Sequence, residues 1–288
     1  MFAFELQFLK WLESVRTGFL TALFEGITIL GEETLIILLV VALWFAVDSR
    51  LARKVFFVTI FSTGLNGIVK NIAQVPRPFD KCVLPVRQET ATGFSFPSGH
   101  TQNFATCSTL FAIKFKKRWL TCLVALFIGL VAFSRLYLGV HYPSDVIVGV
   151  VLGVVMAFLG NYLFEFVKDE KKLYLMLLII FTPFIAYFLI VADEHFADFF
   201  KVFGMMGGLT FVAFLQEKCE PISYDVPWWK KLIRIVIGVA IAFIFKEALK
   251  ILKMGGVHVD IVLDAVRYFA VVFAVGYLCP LFFKIIKI

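Results

Sequence analysis

Residues 134–145 read Ser-Arg-Leu-Tyr-Leu-Gly-Val-His-Tyr-Pro-Ser-Asp and lie between two long apolar runs. Arg135, His141 and Asp145 therefore stand at the edge of segments otherwise suited to a membrane. Ionisable groups are costly there, and their default reading is functional. His141 and Asp145 are four apart, so a helix starting near Pro143 lets the carboxylate reach back to the imidazole. A carboxylate that holds one ring nitrogen leaves the other free to act as nucleophile or base. The same residues also suit a plain polar loop, with Pro143 opening a helix and Asp145 in its first turn.

The runs on either side decide the class. Of 288 residues, 61% are hydrophobic and 17% charged, and the mean hydropathy is +0.91. A soluble domain has no use for that much apolar surface, so an all-α, polytopic integral membrane bundle is expected. The net charge of +7 then reflects basic loops on the cytoplasmic side rather than nucleic-acid binding. No short apolar segment with a small-residue cleavage site opens the chain, so no cleavable signal peptide is expected. Five cysteines show no disulfide or metal-ligand spacing, and Cys107, Cys122 and Cys279 read as small core residues.

In chain order, Phe4, Phe8, Leu9, Trp11 and Leu12 form a helical stripe among Glu5, Lys10, Glu13 and Arg16. This predicts an amphipathic interfacial helix within residues 1–32. Nine spans are expected, near 33–47, 55–73, 97–115, 119–138, 143–167, 173–191, 199–215, 232–252 and 261–283. Basic clusters at 50–54, 116–118, 168–172 and 218–231 then fall inside, with the N-terminus outside. The division expected is an N-terminal segment, 1–32, a motif-bearing core, 33–167, and a four-helix membrane extension, 168–288. On this topology Lys70, Arg77, Ser98, His100, Arg135, His141 and Asp145 all reach the outer face. Gly149/Gly153 and Gly204/Gly208 mark close helix contacts.

Three cations on one membrane face, Lys70, Arg77 and Arg135, call for an anion, and arginine forks match phosphate oxygens. Ser98 and Gly99 open a helix, whose free N–H groups and dipole favour the same anion. Two histidines, His100 and His141, complete the set. Lys70 precedes Arg77-Pro78 by seven positions, residues 97–100 read Pro-Ser-Gly-His, and Ser134-Arg135 is followed by His141 and Asp145. These eleven positions resemble the type-2 phosphatidic acid phosphatase family, within the group that includes vanadium haloperoxidases and glucose-6-phosphatase. The resemblance covers about residues 55–165; beyond it, the layout looks like glucose-6-phosphatase and sphingosine-phosphate phosphatases.

The resemblance implies His141 as nucleophile, Asp145 as its orienter and His100 as acid and then base. It implies a phosphate clamp of Lys70, Arg77, Ser98, Gly99 and Arg135, with no metal and no cofactor. The activity implied is hydrolysis of a lipid phosphate or diphosphate (polyprenyl diphosphate, phosphatidate or sphingoid phosphate) through a phosphohistidine. Lipid phosphotransfer to an alcohol acceptor fits the same motifs. A non-enzymatic lipid-binding protein is the third class, against which an equipped nucleophile argues. The partners expected are a lipid phosphate and the bilayer, with no nucleic acid. The site is expected on the external or lumenal face of a plasma, inner or endoplasmic reticulum membrane. Lys246, Glu247, Lys250, Lys253, Asp264 and Arg267 are expected to pair in the buried extension, for packing or a homodimer contact. His195 and His258 fall in no motif and read as interfacial. Gln88 and Glu89 occupy a loop suited to substrate selection.

Overall fold

The computed structural model describes residues 2–81, 83–191, 196–216, 222–252 and 255–288. Asp193, Glu194, His195, Lys218 and Lys253 lie outside them. Every regular element among the described residues is helical. Apolar surroundings offer backbone groups no other partner, and a helix pairs them within its own segment.

Residues 2–30 do not form one amphipathic helix but two, α1 (Phe2–Ser14) and α2 (Gly18–Thr28). Thr17 makes the break: its backbone is extended and its hydroxyl accepts from Leu20 N at 3.3 Å, capping α2. A 3-10 turn, Ile29–Gly31, leads to α3 (Glu33–Ala42) and a π-helical turn, Leu43–Val47. Asp48 accepts from the N–H groups of Arg50 and Leu51 and starts α4 (Ser49–Ala73). Next come α5 (Gly99–Phe115), α6 (Arg118–Tyr137) and α7 (Pro143–Phe166), the last opened by its proline. Asp169 caps α8 (Glu170–Val191) through Lys171 N and Lys172 N. The chain ends with α9 (Ala197–Gln216), α10 (Trp228–Ala248), α11 (Val257–Phe273) and α12 (Cys279–Ile285).

Nine spans are not reached. Among the described residues six helices are long and apolar enough to cross a membrane, or seven if Gly18–Gly31 and Glu33–Val47 make one bent span. The expected spans that fall short are α5, α10 and, unless it is joined to Gly18–Gly31, Glu33–Val47. α5 has 17 residues, with polar side chains through its first half. α10 carries Lys230, Lys231 and Arg234 at one end and Lys246 and Glu247 at the other.

The chain divides into two compact units, one of Met1–Leu35 and Leu65–Asn161, the other of Ile36–Gly64 and Tyr162–Ile288. In the first, α1 buries Leu9 and Leu12 against Val83, Leu136, Tyr142 and Val146. Leu20 and Phe24 of α2 cover a second cluster of Ala91, Tyr137, Leu138 and Val140. α7 meets the start of α5 through two glycines. A Cβ on Gly149 would lie 2.8 Å from Ser98 O, and one on Gly153 would lie 2.6 Å from Gln102 O. Both distances are prohibitive, so the helices approach this closely only with glycine.

In the second unit, Arg53 pairs with Glu170 at 2.7 Å, and Glu170 also accepts from the Tyr174 hydroxyl. α9 packs on α11 through Gly204 and Gly208, where any side chain would strike Ala265 O or Phe269 O. Asp264 and Arg267 form a buried pair at 2.9 Å within α11. Glu247 and Lys250 also pair, at 3.7 Å, but both are more than half exposed, contrary to the burial expected of them. Glu247 lies in the last turn of α10 and Lys250 in the 3-10 turn, Leu249–Leu252, that follows it.

Candidate active site

All the polar motif residues belong to the first unit. The described residues between Gln74 and Ser98 carry Arg77-Pro78 of the first motif and Pro97-Ser98 of the second and form no α-helix, as Pro76, Pro78 and Pro85 require. Arg77 is one of its anchors. Its Nε donates to Gly93 O at 2.9 Å, Nη2 to Thr92 O at 2.5 Å and Nη1 to Val140 O at 3.0 Å. Arg77 is thereby both a charge in the site and the staple joining the loop to the turn that bears His141. Lys70, on the last turn of α4, donates to Thr92 O at 3.4 Å.

A second arginine packs against the turn that bears His141, residues 138–142. Arg16, between α1 and α2, donates from Nε to Tyr137 O at 2.9 Å and from Nη1 to Leu84 O at 2.6 Å. Gly139 adopts φ +71°, and a Cβ there would lie 2.6 Å from Arg16 Nη2. Glycine satisfies both the left-handed backbone and the close approach.

His141 is 1% exposed. Its Nδ1 lies 3.2 Å from Asp145 Oδ2, and its Nε2 lies 3.2 Å from Arg77 Nη1. An arginine only donates, so Nε2 is the accepting nitrogen and Nδ1 bears the proton shared with Asp145. Burial first, then the charges of Arg77, Arg135 and Lys70, hold the imidazole well below its usual pKa range, so it is neutral near pH 7. Asp145 Oδ2 also accepts from Ser95 Oγ at 2.5 Å and Tyr142 N at 2.8 Å. Three donors on one oxygen fix that carboxylate, and through it the ring.

Ser98 is the N-cap of α5 by its extended backbone, but its hydroxyl pairs with Thr101 Oγ1 at 3.0 Å rather than with the helix N–H groups. Ser98 N donates to Asp145 O at 3.0 Å, tying the second motif to the third. Asn66 braces the same turn through Pro97 O and Gln102 Oε1. His100 follows Gly99 at the start of α5; its Nε2 is buried and has no hydrogen-bond partner among the described residues.

Arg135 is 0% exposed. Its Nη1 donates to two hydroxyls, Thr28 Oγ1 at 2.9 Å and Thr90 Oγ1 at 3.3 Å. Nε and Nη2 have no hydrogen-bond partner among the described residues. A buried guanidinium whose hydrogen bonds among the described residues go only to neutral oxygens favours an anion beside it. Among the described residues no group of three or more His, Cys, Asp or Glu is placed to hold a metal ion. Glu89 of the loop pairs with Arg87 at 3.6 Å, and Arg87 with Glu32 at 2.9 Å.

Ser95, Thr28, Thr90 and Arg16 were not anticipated. Ser95 differs in no visible way from Ser98 three residues on, and Thr28 sits in an apolar run far from any motif.

The PAP2 superfamily profile matches residues 51–169, and that of the PAP2 superfamily phosphatase transmembrane extension matches 200–288. The chain is 34% identical over 93 residues to the lipid A 4'-phosphatase of Bacteroides thetaiotaomicron, covering 32% of this chain and 40% of that one. It is 31% identical over 127 residues to the undecaprenyl-diphosphatase of Bacillus subtilis, 42% of this chain and 64% of that one. With the phosphatidylglycerophosphatase B of the same organism the figures are 29% over 173 residues, 55% and 82%. The match thus spans less than half of the lipid A 4'-phosphatase. The crystal structure of a transmembrane PAP2-type phosphatidylglycerolphosphate phosphatase from Bacillus subtilis aligns with TM-score 0.48 at 27% identity, over 57% of this chain and 86% of that one. The two profile matches together take in most of the sequence, motifs and extension alike, and the chain is a member of the PAP2 superfamily carrying its transmembrane extension.

Proposed function

We propose that this chain hydrolyses a lipid phosphate or lipid diphosphate through a phosphohistidine on His141. The observation that carries the reading is the imidazole itself: buried, neutral, with Nδ1 beside a fixed carboxylate and Nε2 bearing the lone pair. That nitrogen attacks phosphorus, the N–P bond forms, and the P–O bond to the lipid breaks. His100, taking part as the imidazolium once the substrate's negative charge offsets the neighbouring cations, gives its proton to the departing oxygen. Water then attacks the phosphohistidine and His100 takes the water's proton; the N–P bond breaks, freeing phosphate and restoring His141. Lys70, Arg77, Arg135, the Ser98 hydroxyl and the Gly99 N–H hold the non-bridging oxygens as charge builds on them.

Three details support these roles. The unpartnered Nε and Nη2 of Arg135 form a fork suited to two phosphate oxygens. The unpartnered Nε2 of His100 suits a proton carrier. A Cβ on Gly99 would meet only Asn66 Oδ1, at an ordinary 3.6 Å, so packing does not call for glycine there and close approach of a phosphate does. The relatives differ in their lipids by name, but each name specifies a phosphate or diphosphate on a lipid, and that shared chemistry is the substrate class proposed. The basic loops at 50–54, 116–118 and 168–172 support a site on the external or lumenal face.

The test is phosphate release from a panel of purified lipid phosphates and diphosphates, by the wild type and by His141→Ala. The wild type is expected to release phosphate from at least one class, and the variant to lose on the order of 10³-fold or more with its fold intact. A folded variant retaining a tenth of the wild-type rate sinks the assignment. Phosphate moved to an alcohol without net release makes the chain a transferase.

A further inference from the structure

We infer that Thr28 is a positioning residue for the phosphate clamp, its hydroxyl setting the plane of the Arg135 guanidinium. The inference rests on the reading above that Arg135 holds phosphate, and it extends the active site into a segment that precedes the superfamily match at residue 51.

Arg135 is a charged side chain with no exposure, and the carboxylates whose charges reach it, Glu32 and Glu89, both pair with Arg87. Among the described residues its hydrogen bonds are those to Thr28 at 2.9 Å and Thr90 at 3.3 Å, both from Nη1. A guanidinium is rigid and planar, so anchoring one terminal nitrogen leaves Nε and Nη2 as a fork of fixed direction. Thr28 makes the shorter of the two bonds, is itself fully buried, and stands on the last turn of a helix rather than in a loop. The 3-10 turn that follows brings Gly31 against His100, where a Cβ would lie 2.6 Å from His100 O. One short stretch thus touches both the clamp arginine and the backbone of the second histidine. Threonine rather than valine at position 28 is explained by this bond: the volume is nearly the same, and only the hydroxyl accepts.

The experiment compares Thr28→Ser, Thr28→Ala and Thr28→Val in the purified full chain in detergent. Orthophosphate and orthovanadate binding are read by titration calorimetry and thermal stabilisation. Turnover is read on the lipid phosphate that the wild type hydrolyses fastest. Ser keeps the acceptor and is expected within about threefold of the wild type, while Ala and Val weaken oxyanion binding and lower kcat/KM by about tenfold. A packing role alone would lower the melting temperature and leave oxyanion affinity unchanged. If neither Ala nor Val folds, Thr28→Cys, close to serine in volume and a poor acceptor, replaces them under the same criterion. Equal oxyanion affinity in Ser and Ala overturns the inference while leaving the hydrolase reading intact. A wild type that binds phosphate in this Thr28-dependent way, yet releases none from any lipid, overturns the hydrolase reading and leaves this one standing. A wild type that binds no oxyanion overturns this inference.

Discussion

Asp145→Asn isolates what the carboxylate contributes to the nucleophile. In the proposed mechanism the His141 ring becomes cationic as the N–P bond forms, with Asp145 Oδ2 3.2 Å from Nδ1. Two unit charges at that distance attract by about 5 kcal/mol at an effective dielectric near 20. Asparagine keeps a neutral hydrogen bond to Nδ1–H, worth about 1 kcal/mol. The barrier is then expected to rise by about 4 kcal/mol, roughly 10³-fold in kcat. KM is expected to change by less than about threefold, because the carboxylate contacts Ser95, Tyr142 and His141 rather than the clamp. The fold should survive: the amide oxygen can take the place of Oδ2, and the amide nitrogen that of Oδ1, which has no hydrogen-bond partner among the described residues. An unsatisfied amide there costs about 1–3 kcal/mol, a drop of several degrees in melting temperature. The assay is steady-state phosphate release by purified protein, with thermal unfolding as control. A folded Asn variant with kcat within tenfold of wild type would falsify the orienting role and with it the choice of His141 over His100 as nucleophile.

Two further outcomes are expected. Because His141 is held well below its usual pKa, the unfolded chain takes up a proton there below about pH 6.5 that the folded chain does not. The stability this neutral ring contributes is present above that pH and lost as pH falls towards the folded value. The melting temperature should therefore drop between pH 7 and 5, and less steeply in His141→Gln; identical slopes would remove the argument. On topology, a single cysteine at Gln88 should react with an impermeant thiol reagent in intact cells and one at Lys117 should not, in a background without exposed native thiols. The reverse pattern would put the site on the cytoplasmic face.

The features legible in the sequence were those set by near neighbours. Prolines at 76, 78 and 85, the start at Pro143 and the basic run at 116–118 delimit helices because they act through the backbone within a turn. The spacing of His141 and Asp145 anticipates contact for the same reason, since residues four apart share a helix face. Helix existence was also legible for α5 and α10, but whether they cross a membrane was not. Their apolar content is diluted by polar or charged residues, and a pattern of hydrophobicity does not say which of these are buried among other helices.

Composition and spacing, then, determined an all-helical membrane protein with three polar motifs that resemble those of a superfamily. Tertiary structure alone decided the surroundings of those motifs. Ser95 meets Asp145 across 50 residues, Thr28 meets Arg135 across 107, and Glu5 accepts from Ser144 N across 139. The physical reason is the cost of burial. Each charge withdrawn from water must find its hydrogen bonds among whatever the fold brings near, so its partners are chosen by packing and leave no mark in the local sequence.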